Sequence, residues 1–250
     1  MQIRIDENAT VRDVVVTYPA ARPVFEEMGI DYCCGGDKPL VEAAHGADVS
    51  MSEVASAIEH AVRQEAERGG PPERSWTDAT LTELVDHIER THHAYMREAL
   101  PRLDNLLNTV IGAHGARHGD MLRALRTTFA GLRQEIEMHL MKEEQVLFPY
   151  IRQMEESVSR SGAVPPMHCG TVRNPVRQME AEHENAGEAL ASMRSLTEDY
   201  TLPADACPTF AALYEGLQDM EADLHEHIHL ENNILFPRAE QMETDGHGDA

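Results

Sequence analysis

Two stretches of this chain repeat one pattern of metal-ligating side chains. HLMKEEQVLFP runs from His139 to Pro149, and HIHLENNILFP from His227 to Pro237. Each carries a histidine, a glutamate four residues later and the same Leu-Phe-Pro ending, and the two copies lie 88 residues apart. An isolated histidine precedes each pair: His93 by 46 residues in THHAYMREALP, His183 by 44 in MEAEHENAGEAL. On a helix, four residues bring imidazole and carboxylate onto one face. A single such pair is ordinarily solvated and contributes a few tenths of a kcal/mol. Four histidines duplicated in register on buried faces would be costly to leave unpaired. The pattern therefore predicts four nitrogens and two carboxylates converging on metal. Mixed imidazole and carboxylate donors suit iron or manganese, and a bridging carboxylate suits two ions held close. Zinc would also bind these donors. The ligands expected are His93, His139, Glu143, His183, His227 and Glu231. His92 competes with His93, Glu144 with Glu143, and His225 or His229 with His227; the repeat register favours His227 and Glu143.

Helices must position these groups. Met, Leu, Ala, Glu and Arg dominate the composition, and β-branched or glycine-rich stretches are few, so the class is all-α. The body predicts an antiparallel four-helix bundle. Its first helix opens at a capping box, Thr80 to Glu83, and runs toward Ile111 with a bend at Pro101. The turn GAHGARHGD leads to a second helix over 121–156. Asn174-Pro175 predicts an N-cap and first turn for the third. The fourth starts near Asp205 or Pro208 and ends by Met242. In front lies a small helical head over 1–66, with helices at 10–28 and 50–67 flanking the turn-rich GIDYCCGGDKPL. ERGGPPERSWT, within a 67–77 linker, separates it from a bundle over 78–243, and 244–250 form a flexible tail.

The formal net charge is -23, from 21 basic and 44 acidic side chains. This argues against nucleic acid and anionic membranes as partners. The apolar runs fall well short of the roughly 20 residues a membrane span needs. Residues 1–30 lack a basic start and apolar core, so a cytoplasmic location is expected. Four cysteines in 250 residues do not make a disulfide framework. Cys33 and Cys34, followed by two glycines, sit in a turn where exposed thiols would take up soft metals, NO-derived groups or a transient disulfide, against a structural turn with small, semi-buried cysteines as the alternative. Glu135 and Glu182 stand on the site faces as candidates for a proton or iron route, against ordinary surface charge as the alternative.

The chain resembles the hemerythrin-like di-iron proteins, and among them the iron–sulfur cluster repair proteins. In the body the similarity rests on HLMKEEQVLFP, MEAEHENAG and HLENNILFPRA; in the head, on TVRDVVVTYPAARPVFEEMGIDYCCGG. The resemblance implies two non-haem irons, oxo- and carboxylate-bridged, on the six residues named above. It also implies thiol transfer or docking at Cys33 and Cys34. The expected function is repair of iron–sulfur clusters damaged by nitrosative or oxidative stress, by iron donation, by reduction of NO to N2O as an enzyme, or both. A hemerythrin-type module binding or sensing O2 or NO without turnover is the alternative. Expected partners are damaged iron–sulfur proteins, NO or O2 and an electron donor, and a homodimer is compatible. Ordinary hemerythrins use a further histidine that this pattern lacks. The long connection holding His168 and Cys169 departs from the family.

Overall fold

The computed structural model describes residues 5–68 and 75–247, residue 7 aside. Part of the expected linker, residues 69–74, and the end of the expected tail, 248–250, therefore lie outside the described residues. Among the described residues every regular element is helical. None of the helices is long and apolar enough to cross a membrane. Contacts divide the chain into two compact units: residues 1–79 with 228–237, and residues 80–227 with 238–250.

The first unit contains α1 (Val11–Thr17), α2 (Ala21–Met28), α3 (Leu40–Gly46) and α4 (Met51–Arg68). The single helix expected over 10–28 is broken into two. A residue before proline is disfavoured in the α region, and Tyr18, ahead of Pro19, leaves the helix at φ -127°, ψ 84°. Thr10 and Asp13 cap α1 reciprocally. Val11, Val14, Phe25, Leu40, Val54 and Ile58 form the core of this unit.

The second unit is the bundle. Its first rod is α5 (Leu81–Ile88), a π-helical turn (Glu89–His93) and the start of α6 (Ala94–Lys142). The capping box at Thr80 and Glu83 forms as expected. Glu155 adds a second cap, accepting from the backbone N–H groups of Leu81 at 2.7 Å and Thr82 at 2.9 Å. α6 is longer than expected because the glycine-rich segment stays helical. Only His118 departs, at φ -115°, ψ 16°, and there the chain passes from first rod to second. Pro101 lies inside α6 with helical angles, and the break in helical geometry is at His118.

The second rod continues through a π turn (Glu143–Leu147) into α7 (Phe148–Ser161). The third is α8 (Arg173–Leu196). Asn174 is not its N-cap: its side chain donates to the carbonyl of Cys169 at 2.7 Å. Glu243, far along the chain, accepts the N–H of Val172 at 2.8 Å and moves the helix start forward. The fourth rod runs from α9 (Pro208–Leu230) through a π turn (Glu231–Leu235) into α10 (Phe236–His247), beyond the expected stop at Met242. Leu84, Leu103, Leu107, Leu125, Phe129, Leu190, Leu217 and Met220 pack the bundle interior. Each contributes about 1.5–3 kcal/mol relative to exposure, which offsets the cost of the polar groups buried among them.

Candidate metal centre

Both copies of the repeat adopt the same local backbone. In each, the segment from the glutamate to the leucine is one π-helical turn. Its closing hydrogen bond spans five residues, from Phe148 N–H to the Glu143 carbonyl and from Phe236 N–H to the Glu231 carbonyl. After one phenylalanine comes proline, as Pro149 and Pro237. Proline has no N–H for the carbonyl four residues back, and its ring crowds that carbonyl. A widened turn relieves both conflicts, and such turns recur at functional sites. His93 closes a third π turn, in which the Ala94 N–H reaches the Glu89 carbonyl.

These turns bring the six predicted ligands into two overlapping groups, all buried. One is His93, Glu143, His227 and Glu231; the other is His139, Glu143, His183 and Glu231. Within each group one donor atom per residue lies within 4.8 Å of all the others. Glu231 follows His227 by four residues on one continuous helix. Glu143 stands between the groups. Its Oε2 is 3.4 Å from Nε2 of His93 and 4.0 Å from Nε2 of His227, while its Oε1 is 3.3 Å from Nε2 of His139. The groups cross the sequence repeat, for each pairs a histidine of the first half with one of the second.

The second group has a local electrostatic requirement. Nε2 of His139 and Nε2 of His183 are 3.1 Å apart. Two neutral imidazole lone pairs at that distance repel, so a proton or a cation must lie between them. Two carboxylates in a dry core likewise need compensating positive charge. A metal cation meets both needs. The donor set contains no thiolate, which fits iron held by imidazole and carboxylate.

Carboxylates behind the site fix the rings. The Nδ1–H of His139 donates to Glu182 Oε2 at 2.9 Å, and that of His93 to Glu144 Oε1 at 2.7 Å. With Nδ1 protonated, Nε2 carries the lone pair and faces the centre. Glu182 is pulled down to about 2, chiefly by the hydrogen bond to His139 and with help from Lys142 and Gln178, against the opposing effect of partial burial. Lys142 pairs with Glu182 and Arg97 with Glu144. A groove of about 460 Å³, lined in part by Met96, Arg97, Leu140 and Met141, reaches Glu144.

The competing residues go elsewhere. His92 pairs through Nδ1 with Asp223 at 3.0 Å and stacks on His227, outside both groups. His229 is buried, and its Nδ1 accepts from Asn233 at 2.9 Å; burial pushes its pKa down to about 3. Glu135 is exposed and belongs to neither group. Met167 to Gly170 closes a tight turn, and neither His168 nor Cys169 joins a metal-ligating group among the described residues. In the sequence Glu144 reads only as a rival of Glu143. Its place beside a ligand, like that of Glu182 beside His183, was the available signal.

In the first unit, Cys33 and Cys34 are free thiols, the former buried. The hydrogen bond to Cys34 and burial push the Cys33 thiol well above its ordinary value. Cys33 therefore holds its proton rather than acting as a ready nucleophile.

Comparison with known proteins agrees with this geometry. The hemerythrin HHE cation binding domain matches residues 84–239. A domain of unknown function (DUF542) matches residues 7–62. The chain is 36% identical to a probable iron–sulfur cluster repair protein of Haemophilus influenzae, over 90% of this chain and 94% of that one. It is 37% identical to iron–sulfur cluster repair proteins of an Enterobacter species and of Salmonella newport, over 91% of this chain and 94% of each of those. With both halves matched in this order, the chain belongs to the iron–sulfur cluster repair family of hemerythrin-like proteins.

Proposed function

We propose that the chain holds two iron ions in the bundle core and repairs iron–sulfur clusters damaged by nitrosative or oxidative stress by giving up iron to them. The observation that carries this reading is the sharing of Glu143 and Glu231 between two four-donor groups. His93 and His227 would serve one ion and His139 and His183 the other, with Glu143 and Glu231 within reach of both. Four protein donors to each ion would leave room for further ligands, and an open site would release metal more readily than a closed one. Bound iron would supply Lewis acidity and one-electron chemistry at those positions. Glu144 and Glu182 keep His93 and His139 in the tautomer that presents Nε2. Arg97 and Lys142 hold these outer carboxylates away from the metal.

The names of the relatives support repair as the role, with damaged iron–sulfur proteins as partners. Cys33 and Cys34 would assist transfer or docking. Reduction of NO to N2O is the second reading, favoured by the same sharing of carboxylates. Two NO molecules take two electrons and two protons to give N2O and water, and two adjacent one-electron centres match that requirement.

The test is anaerobic incubation of the iron-loaded chain with a [4Fe–4S] enzyme inactivated by NO, with headspace N2O measured in parallel. Enzyme reactivation matched by iron loss from the chain supports donation. N2O without iron loss supports the second reading, and the absence of both reactivation and N2O rejects both readings.

A further inference from the structure

Asp31, Cys33 and Cys34 stand together in the loop between α2 and α3, with one donor atom of each within 4.8 Å of the others. The two Sγ atoms are 3.8 Å apart, and Asp31 Oδ1 is 3.4 Å from Sγ of Cys33. Neighbouring side chains on an extended chain point to opposite faces, so convergence of adjacent thiols is a property built into this turn. Asp31 Oδ1 also accepts the backbone N–H groups of Cys33 at 3.2 Å and Cys34 at 2.9 Å, which aims the carboxylate at the thiols.

The loop is clamped from outside as well. Asn232 donates to the Cys33 carbonyl at 3.1 Å, and Asn233 to the Tyr32 carbonyl at 2.8 Å. Both bonds are buried, and both asparagines sit on the π turn that begins with Glu231. A Cβ on Gly36 would lie 2.2 Å from Asn233 Oδ1, so the close approach requires glycine. Such fixing of the backbone lowers the ordering cost of binding.

We propose that Asp31, Cys33 and Cys34 form a second metal site, in the head, for a thiophilic divalent cation of the iron-to-zinc series. Two thiolates and one carboxylate make a borderline donor set, and three protein ligands leave a fourth position open, as in exchangeable rather than structural sites. On binding, each thiol gives its proton to solvent. The site deepens the iron-donation reading, and its relevance to repair rests on that reading; the binding itself does not.

The experiment is anaerobic titration of the full-length, iron-loaded chain with Co(II), following the near-ultraviolet sulfur-to-cobalt charge-transfer band. The nitrogen and oxygen donors of the bundle give no such band. It should saturate at one cobalt per chain, vanish in Cys34→Ser and Cys33→Ser, and persist when Cys169 and Cys207 are both serine. Asp31→Asn should weaken binding by at least about tenfold. No band, or a band unchanged in Cys34→Ser or in Asp31→Asn, overturns the proposal. Cys34 is half-buried, so Cys34→Ser tests the site even if Cys33→Ser fails to fold. A His139→Ala/His227→Ala chain should keep the band while losing bundle iron, which separates failure of this site from failure of the di-iron reading.

Discussion

Glu182 accepts the Nδ1–H of His139 at 2.9 Å, and so decides which nitrogen of that ring faces the centre. Such outer carboxylates typically account for 10–100-fold in metal affinity. Glu182→Gln should therefore weaken iron binding by about 10–100-fold, measured by competition with a chelator. Glu144→Gln should do the same through His93. Glu135→Gln, exposed and in neither group, should leave affinity unchanged.

The crossed grouping makes a sharper prediction about pairs of histidines. His93→Ala with His227→Ala strips one group and should leave about one iron of two, on His139 and His183. His139→Ala with His227→Ala takes one ligand from each group and should remove nearly all iron. If the metal followed the sequence halves instead, His93→Ala with His139→Ala would be the pair that spares one ion. Iron content per chain decides between the two patterns.

Acid should find Glu182 before it finds the hydrophobic core. Its pKa is held at about 2 in the folded chain, below its ordinary 4.5. The stabilisation is complete above the ordinary value and is lost as pH falls from there toward the folded value. Denaturant unfolding of the metal-free protein from neutral pH downward should show this loss, and Glu182→Gln should flatten it. An unchanged acid slope in the variant would remove Glu182 from the account.

Two glycines should respond oppositely to alanine. At Gly36 a Cβ meets Asn233 Oδ1, and the displaced asparagine would lose its bonds to Tyr32 and His229. Gly36→Ala should cost about 1–3 kcal/mol. Gly131 lies within helical α6 with open space where a methyl group would go, and Gly131→Ala should add about 0.5–1 kcal/mol. Urea unfolding of both variants provides the check.

The six residues of the donor groups were legible because the duplication put His, Glu and Leu-Phe-Pro in register twice. The bundle was legible from helix formers and the capping box at Thr80. Other features depend on residues distant in sequence. Glu243 displaced the start of α8 from the Asn174-Pro175 signal. The partnership of His93 with His227 depends on how four rods meet, which linear order does not encode. Two of the three π turns have a local cause in Pro149 and Pro237, yet proline there signals equally a simple helix stop. Asn232 and Asn233 lie inside the second copy of the repeat, where nothing in the pattern marks them apart from Glu231, and their role appears only once the loop of Cys33 is packed against them.

The most direct test of the central claim is iron content per chain, with Mössbauer and absorption spectra, on protein purified without added metal. The account predicts two non-haem irons per chain and the signature of an oxo- and carboxylate-bridged pair. A single iron, two magnetically isolated irons, or zinc in place of iron would contradict it.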